Sequence, residues 1–306
     1  MDSGLRLTVF TPMYNRRHTI HRVYESLMRQ TVRCFEWLII DDGSTDDPKE
    51  LIDEYKKTAD FPIRFYRKEN GGKHTAWNMA LGLISTNYFI CLDSDDAILD
   101  NAIERMLYYW DSIDEKKRDD YWCVVGLSMD PITGEVVGDK FPEGINESDD
   151  PAREARNVGG DKFGCHSLKA VKQFPFPEPE GTTFITESIV WDKIDRYYRQ
   201  YYVNDVFRYY YIESNSLTQS WYREHVKEGY VSNYFWKQSK INNVGIQNLS
   251  DLKTAFQLPY YGFMSGKKTG EILKGIEIKK YRPLVLMMTP AAFVLKKTRG
   301  KKYIEE

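Results

Sequence analysis

The chain has 306 residues, 42% of them hydrophobic and 29% charged, with a formal net charge of −2. This is globular composition, so disorder along the whole length is excluded, and the chain is long enough for one large core or for one core and a smaller appendage. No run of about 18 apolar residues occurs, so a spanning helix is not expected, and the near-zero charge speaks against a polyanion binder unless the total hides a split.

From the N-terminus, MDSGLRLTVF lacks a basic start followed by a long apolar stretch, so no secretory leader is expected. LRLTVFT (5–11) is a β-branched, apolar run that reads as a buried first strand closed by Pro12. Ile20, Val23, Tyr24, Leu27 and Met28 then share one face of a helix. FEWLII (35–40) is a second strand ended by DDGSTDD, and Leu51, Ile52 and Tyr55 mark a second helix. IRFYRKE (63–69) is a third strand ended by Asn70-Gly71-Gly72, and Ala76, Trp77, Ala80, Leu81 and Ile84 form a third helical face. YFICL (88–92) is a fourth strand ended by DSDD, followed by a helix through Ala102, Ile103, Met106, Leu107 and Trp110.

Such alternation predicts an α/β fold with a mostly parallel sheet covered by helices. The polar clusters at 14–17, 41–47, 70–74 and 93–96 all follow strands. In open α/β sheets the ligand crevice lies at those carboxyl ends, so the four clusters are expected around one site. After residue 120 the pattern changes. WCVVGLSM and EVVG flank DPITG as an antiparallel hairpin, and residues 139–162 read as a surface loop. An apolar region spans Phe184 to Ile194, a Tyr-rich stretch spans 197–211, and 221–275 is helical in parts. The tyrosines suit core packing. The cysteines Cys34, Cys91, Cys123 and Cys165 are scattered without a CxxC, as expected of reduced thiols in a cytoplasmic protein.

LDSDD carries the most chemistry. Asp93 and Asp95 can hold a divalent cation whose other positions are filled by water and phosphate oxygens. The alternative is a solvated loop with an Asp capping a helix that begins near Ala97 or Asp100. In IIDDGSTD, Asp41 or Asp42 can accept hydrogen bonds from a base or ribose, or serve only as turn and cap. In ENGGKHTAWN, Gly71 and Gly72 permit close backbone approach, Lys73 offers charge to phosphate, and Asn78 lies about one turn beyond His74.

Taken together, TPMYNR, IIDDGSTD, NGGKHTAWNMAL and LDSDD resemble the nucleotide-sugar-binding half of family 2 (GT-A fold) inverting glycosyltransferases, strongly over 5–110 and more weakly to about 215. The resemblance implies a Rossmann-like, mostly parallel sheet flanked by helices. The expected domains are a nucleotide-sugar-binding and catalytic domain over 1–215 and, from the residue pattern, a helical region with a basic, apolar tail over 216–306. The resemblance also implies a nucleotide-diphospho-sugar donor (UDP by family preference), Mn²⁺ or Mg²⁺, and hexosyl transfer with inversion. On this chain Thr11, Pro12, Tyr14 and Asn15 would line the base pocket, with Asp41, or alternatively Asp42, bonding the base. Lys73 and Asn78 would lie near ribose and diphosphate. Asp93, Ser94 and Asp95 would form the DxD segment, with Asp95 the direct metal ligand, Asp93 its partner and Asp96 nearby. The family's catalytic base sits in a downstream acidic motif that opens a helix. Its counterpart is Thr186-Glu187-Ser188, which nominates Glu187, with Asp192 as a backup; Ser188 departs from the second acid often found there. Gly160-Asp161-Lys162 and the PFPEPEG loop either shape the acceptor pocket or form a surface excursion.

The charge total does hide a split. Residues 279–303 hold eight Lys/Arg and no Asp or Glu, and residues 1–278 hold 35 basic and 43 acidic residues, a net of −8. The apolar centre of the tail, Leu284 to Leu295, is 12 residues long and contains Pro290, too short to span. Its flanking cations suit peripheral contact with an anionic membrane at the inner face, where lipid-linked sugars are acceptors; docking on the core is the other reading. The resulting expectation is a transferase extending a cell-surface polysaccharide or glycolipid, with no nucleic-acid partner. Its rivals are a nucleotidyltransferase making the activated sugar and a catalytically silent nucleotide-sugar- or membrane-binding subunit.

Overall fold

The structure is a computed structural model that describes residues 4–148, 154–155, 157–211, 226–246 and 251–299. Parts of the expected 139–162 loop, of the 221–275 region and of the basic tail lie outside the described residues. The chain divides into two compact units: Met1–Pro175 with Tyr197–Ser214, and Phe176–Arg196 with Asn215–Glu306.

In the first unit the predicted alternation appears in order. It comprises β1 (Leu7–Met13), α1 (His21–Met28), β2 (Phe35–Asp41), α2 (Lys49–Thr58), β3 (Ile63–Arg67), α3 (Lys73–Leu83) and β4 (Tyr88–Cys91). It continues with β5 (Ala97–Ile98), α4 (Ala102–Ser112), β6 (Tyr121–Met129), β7 (Lys162–Ser167), α5 (Leu168–Val171) and β8 (Arg199–Tyr209). The eight strands form one sheet in the order β3-β2-β1-β4-β7-β6-β8-β5. β1 pairs in parallel with β2 and β4, β2 with β3, and β6 with β8, whereas β7 runs antiparallel to both its neighbours. Strands buried on both faces read as continuous apolar runs, and every residue of β1 and β2 is buried. The core gathers Val9, Trp37, Ile39, Ile90, Trp110 and Phe207.

Three expectations change. The first strand continues through Pro12 to Met13. Phe10 O accepts from Leu92 N at 2.8 Å, so even-numbered residues of β1 bond toward β4. The β4 pairing stops at Cys91 opposite Phe10, so the missing N–H of Pro12 faces no strand. The helix expected from near Ala97 or Asp100 begins at Ala102; Ala97–Ile98 is instead a two-residue strand paired with β8. The expected 122–138 hairpin reduces to one bridge, Met129 to Val136, because β6 spends its pairing on β7 and β8. The Tyr-rich stretch is β8, with Tyr202 and Phe207 buried, as the core-packing reading anticipated.

β7 carries His166 against a cluster of rings, with centroids 5.5 Å from Trp122, 5.6 Å from Trp77 and 5.1 Å from Phe89. Burial lowers its pKa from 6.5 to about 3. The unfolded chain therefore binds up to one more proton than the native state between about pH 6.5 and pH 3, and stability falls as pH falls through that window. The His166 share of that loss is expected to reach about 2 kcal/mol at pH 5 relative to pH 7. Urea titrations of wild type and His166→Phe at both pH values check it, since the variant lacks this component of the slope.

The second unit contains α6 (Ser188–Ile194), α7 (Val226–Asn243), α8 (Leu252–Met264), α9 (Thr269–Lys274) and α10 (Arg282–Arg299). Tyr234, Ile241, Leu258, Phe263, Ile272 and Val285 make its core. Ser239 Oγ on α7 donates to Ile189 O on α6 at 2.9 Å. The tail is one 18-residue helix that runs through Pro290. Proline leaves the carbonyl four residues earlier without its helical donor. Thr289 Oγ1 supplies that donor to Leu286 O at 2.7 Å, so the helix continues.

Candidate functional site

The parallel register sets the strand ends side by side, with Met13 opposite Asp41 and Asp41 opposite Arg67. Asp42 N donates to Met13 O at 2.7 Å and Lys68 N to Asp41 O at 2.9 Å. The loops after β1 to β4 therefore emerge along one edge. Strand order reverses between β1 and β4, the switch point at which such sheets open a crevice. All four polar clusters gather at that edge.

On one side of the edge the predicted base-pocket residues are tied to one another. Thr11 is buried, its hydroxyl accepting from Trp37 Nε1 at 2.9 Å, and Tyr14 is 46% exposed. Asn15 takes a left-handed φ of 53°, which a short polar side chain tolerates. Its Oδ1 accepts from Thr45 N at 2.7 Å and its N–H donates to Ser44 Oγ at 2.9 Å, which clamps the first loop to the second. Asp41 and Asp42 differ in role. Asp42 accepts from Gly71 N (3.0 Å), Gly72 N (2.7 Å) and Lys68 Nζ (2.5 Å), so it pins the glycine loop. Asp41 Oδ1 accepts from Ser44 N at 3.0 Å, while among the described residues Oδ2 has only Arg67 Nε at 3.4 Å, without hydrogen-bond geometry. Gly72 caps α3 at φ 91°, a conformation closed to most side chains, and so delivers Lys73 at the helix start. Asn78 lies on α3, partly buried.

On the other side the DSDD loop sits among cations. Asp93 Oδ1 is 2.7 Å from Lys73 Nζ, and Asp95 Oδ2 is 3.6 Å from Arg16 Nε. Arg22 Nη1 donates to Asp95 O at 2.9 Å and its guanidinium lies 4.4 Å over Tyr211. Desolvation pushes the Asp93 carboxyl up, but Lys73, with Arg208 and Arg16, holds it below the usual carboxylate range. Ser94 is buried between the two acids. Asp96 turns away from them. It is buried, accepts from Tyr211 N at 3.1 Å, and lies 3.2 Å from Arg208 Nη1. Burial raises its pKa to about 7 against the pull of Arg208.

Arg208 on β8 was not singled out by the sequence, nor were Arg16 and Arg22. It is 5% exposed, and its Nη2 donates to Asp161 Oδ1 at 2.6 Å and to Ser128 Oγ at 3.0 Å. It also stacks 5.0 Å from the Phe163 centroid and 4.9 Å from that of Tyr210. Burial disfavours its charge, yet Asp161, Asp96 and Asp93 reverse this and raise its pKa. Asp161, which sequence placed at an acceptor pocket or on a surface excursion, thus helps anchor the back of the DSDD loop. The only available signal for Arg208 was a cation in an otherwise Tyr-rich run. Arg208→Met is expected to cost about 1–3 kcal/mol, because Asp161 and Ser128 lose their donor and buried Asp96 takes up a proton in place of its ion pair. Denaturant unfolding measures this, and Asp96→Asn in the same chain should recover part of the loss.

Two carboxylates at a strand end, beside cations that suit phosphate, have the donor chemistry of a Mg²⁺ or Mn²⁺ site completed by diphosphate oxygens and water. Among the described residues no group of three or more His, Cys, Asp or Glu is placed to hold a metal ion by protein ligands alone. The donor chemistry of Asp93 and Asp95 suits an ion shared with a phosphate-bearing partner.

In the second unit Glu187 immediately precedes α6 and is partly buried. Its loop is braced from α7, where Glu228 Oε2 accepts from Thr183 N at 2.9 Å and Thr183 Oγ1 at 3.1 Å. Thr186 Oγ1 and Ser188 Oγ lie 3.2 Å apart on either side of Glu187. Asp192 follows on the helix, partly buried.

The model of the glycosyl transferase family 2 domain matches residues 8–124, which hold all four strand-end clusters. Over those residues the chain is similar to glycosyl transferase family 2. The teichoic acid poly(glycerol phosphate) polymerase of Staphylococcus epidermidis is 38% identical over 110 residues, 36% of this chain and 15% of the polymerase. The chain thus spans a small part of that relative's length. The S. aureus TarS fragment 1–349 in complex with UDP-GlcNAc matches the fold at TM-score 0.59 and 16% identity, covering 98% of this chain and 92% of the fragment. A Pyrobaculum calidifontis mannosyltransferase, solved with GDP-Man and Mn²⁺, matches at TM-score 0.53 and 16% identity, covering 95% of this chain and 86% of that one. The chain shares the GT-A fold of these structures.

Proposed function

We propose that the chain is a metal-dependent, inverting glycosyltransferase that moves a hexosyl group from a nucleotide-diphospho-sugar, with UDP the favoured carrier, to a hydroxyl of a glycan or lipid-linked acceptor in cell-surface polysaccharide synthesis. The observation that carries this reading is the DSDD loop at the switch point of a family 2 domain, faced by Lys73 and Arg16. In this reading the catalytic domain runs over 1–215, and 216–306 is a helical region that works at the inner face of the membrane. The relative named as a teichoic acid poly(glycerol phosphate) polymerase supports the setting of cell-surface polymer synthesis, and the fold match solved with UDP-GlcNAc supports the donor.

Asp41, with its unused oxygen, orients the base, and Thr11, Pro12, Tyr14 and Asn15 form the floor and mouth of that pocket. Asp42 holds the glycine loop so that Lys73 meets the diphosphate, with Asn78 nearby. Asp93 and Asp95 hold Mn²⁺ or Mg²⁺, which when bound offsets the charge that develops on the leaving diphosphate. Lys73 and Arg16 add to that offset. Glu187 takes the proton of the acceptor hydroxyl as its oxygen bonds to the anomeric carbon and the bond to the diphosphate breaks on the opposite face, which inverts the centre.

The test is a panel of nucleotide sugars with Mn²⁺ or Mg²⁺ and acceptor extract. Nucleoside diphosphate release with a β-linked product from an α-linked donor is expected. Pyrophosphate release would make the chain a nucleotidyltransferase, and binding without turnover of any donor would make it a silent subunit.

A further inference from the structure

We propose that the outward face of α10 is a docking surface for an anionic lipid bilayer, on which this helix lies in the plane of the interface. This deepens the membrane placement in the reading above and does not depend on its catalytic residues. The helix is apolar on both sides. Val285, Thr289 and Ala292, spaced four and three residues apart, are buried, with Val285 and Ala292 in the helical core. On the other side Leu286, Met287, Phe293 and Val294 are 49%, 70%, 44% and 60% exposed. Leu286 and Phe293 are seven residues apart, as are Met287 and Val294, and the two rows are adjacent, so these four form one apolar stripe on a single side. A helix that is apolar all round is ordinarily buried all round.

The stripe also continues sideways. A groove of about 450 Å³ lined by Phe256 of α8 and by Pro290, Ala291, Val294, Leu295 and Thr298 widens it.

Charge selects the occupant. Lys279, Lys280 and Arg282 stand at one end of the stripe, Lys296 and Lys297 at the other, and no acid lies between 279 and 303. Lys280 Nζ lies 5.0 Å from the Tyr281 centroid and Lys297 Nζ 5.0 Å from that of Phe293, which puts ammonium groups on the rim of the apolar surface. An apolar band with cations at its ends suits a bilayer with acidic headgroups, where the stripe enters the acyl boundary and the lysines stay with phosphate. No helix among the described residues is long and apolar enough to cross a membrane, so the contact is one of lying on the surface.

The experiment is cosedimentation of the full chain with phosphatidylcholine vesicles, with and without about one third phosphatidylserine. Binding to the acidic vesicles alone, weakened by salt, is expected. Lys296→Gln and Lys297→Gln should each weaken it by about fivefold. Met287→Glu with Val294→Glu should abolish it while the melting temperature stays at the wild-type value. NBD attached to Met287→Cys should shift to the blue on acidic vesicles. Equal binding to neutral vesicles, or wild-type binding by the double-glutamate variant, overturns the proposal. So does a dimer that the double-glutamate variant converts to monomer without any vesicle binding, which would assign the face to a second copy of this chain. No step of the assay reads sugar transfer, so failure here leaves the catalytic reading standing, and a silent enzyme leaves the docking face standing.

Discussion

Glu187→Gln should lower sugar transfer by about 10²–10⁴-fold, the usual span for loss of a general base, with donor affinity unchanged. Glutamine has the size of glutamate and can still accept a hydrogen bond from an acceptor hydroxyl, but it cannot take up the proton. Binding and chemistry therefore separate. Calorimetric titration with nucleoside diphosphate and Mn²⁺ reports the first, and the rate of acceptor glycosylation reports the second. The bracing of the 183–187 loop by Glu228 involves Thr183 rather than Glu187, so the substitution leaves those bonds in place. Asp192→Asn is the companion variant. If it loses the rate and Glu187→Gln does not, the base lies one turn further along α6.

Asp95→Asn should lower metal-dependent transfer by at least about 10³-fold, because a ligated cation is worth several kcal/mol of transition-state charge stabilisation. Titration of Mn²⁺ in the presence of nucleoside diphosphate, followed by electron paramagnetic resonance, should show the matching loss of affinity. The three acids of DSDD then sort by partner. Asp93→Asn removes the counter-charge of Lys73 as well as a ligand, so it should weaken metal and raise the affinity of Lys73 for phosphate together. Asp96→Asn should register in stability and hardly in metal affinity, since Asp96 faces Arg208 and Tyr211. Metal affinity lost in Asp96→Asn and kept in Asp95→Asn would exchange their roles.

The sequence held much of the first unit because its information there is local. Apolar runs of four to seven residues alternating with helical periodicity specify β1 to β4 and the helices between them. In a parallel sheet each strand end is followed at once by its loop, so polar clusters after strands converge whatever the details of packing. The roles of Asp41 and Asp42 were left open, and only the folded loop separates them, through the two glycine N–H groups that Asp42 accepts.

What escaped the sequence depends on distant partners. β7 is short and mixed, KFGCHS, and becomes a strand because β4 and β6 flank it. Arg208 has meaning only beside Ser128 and Asp161, 80 and 47 residues away in the chain. Pro290 would be expected to end a helix, and one hydroxyl on Thr289 decides otherwise.

By itself, then, the sequence determined the alternating first unit, its crevice edge and the acidic pair at 93 and 95, since all three follow from periodicity and short spacing. The tertiary structure alone decided which carboxylates pin loops and which face outward. It also decided that Phe176–Arg196 packs with the C-terminal helices and that one apolar face of α10 stays uncovered. The physical reason is the same in each case: a buried charge or an apolar face is defined by what lies against it, and those neighbours come from parts of the chain that no local window contains.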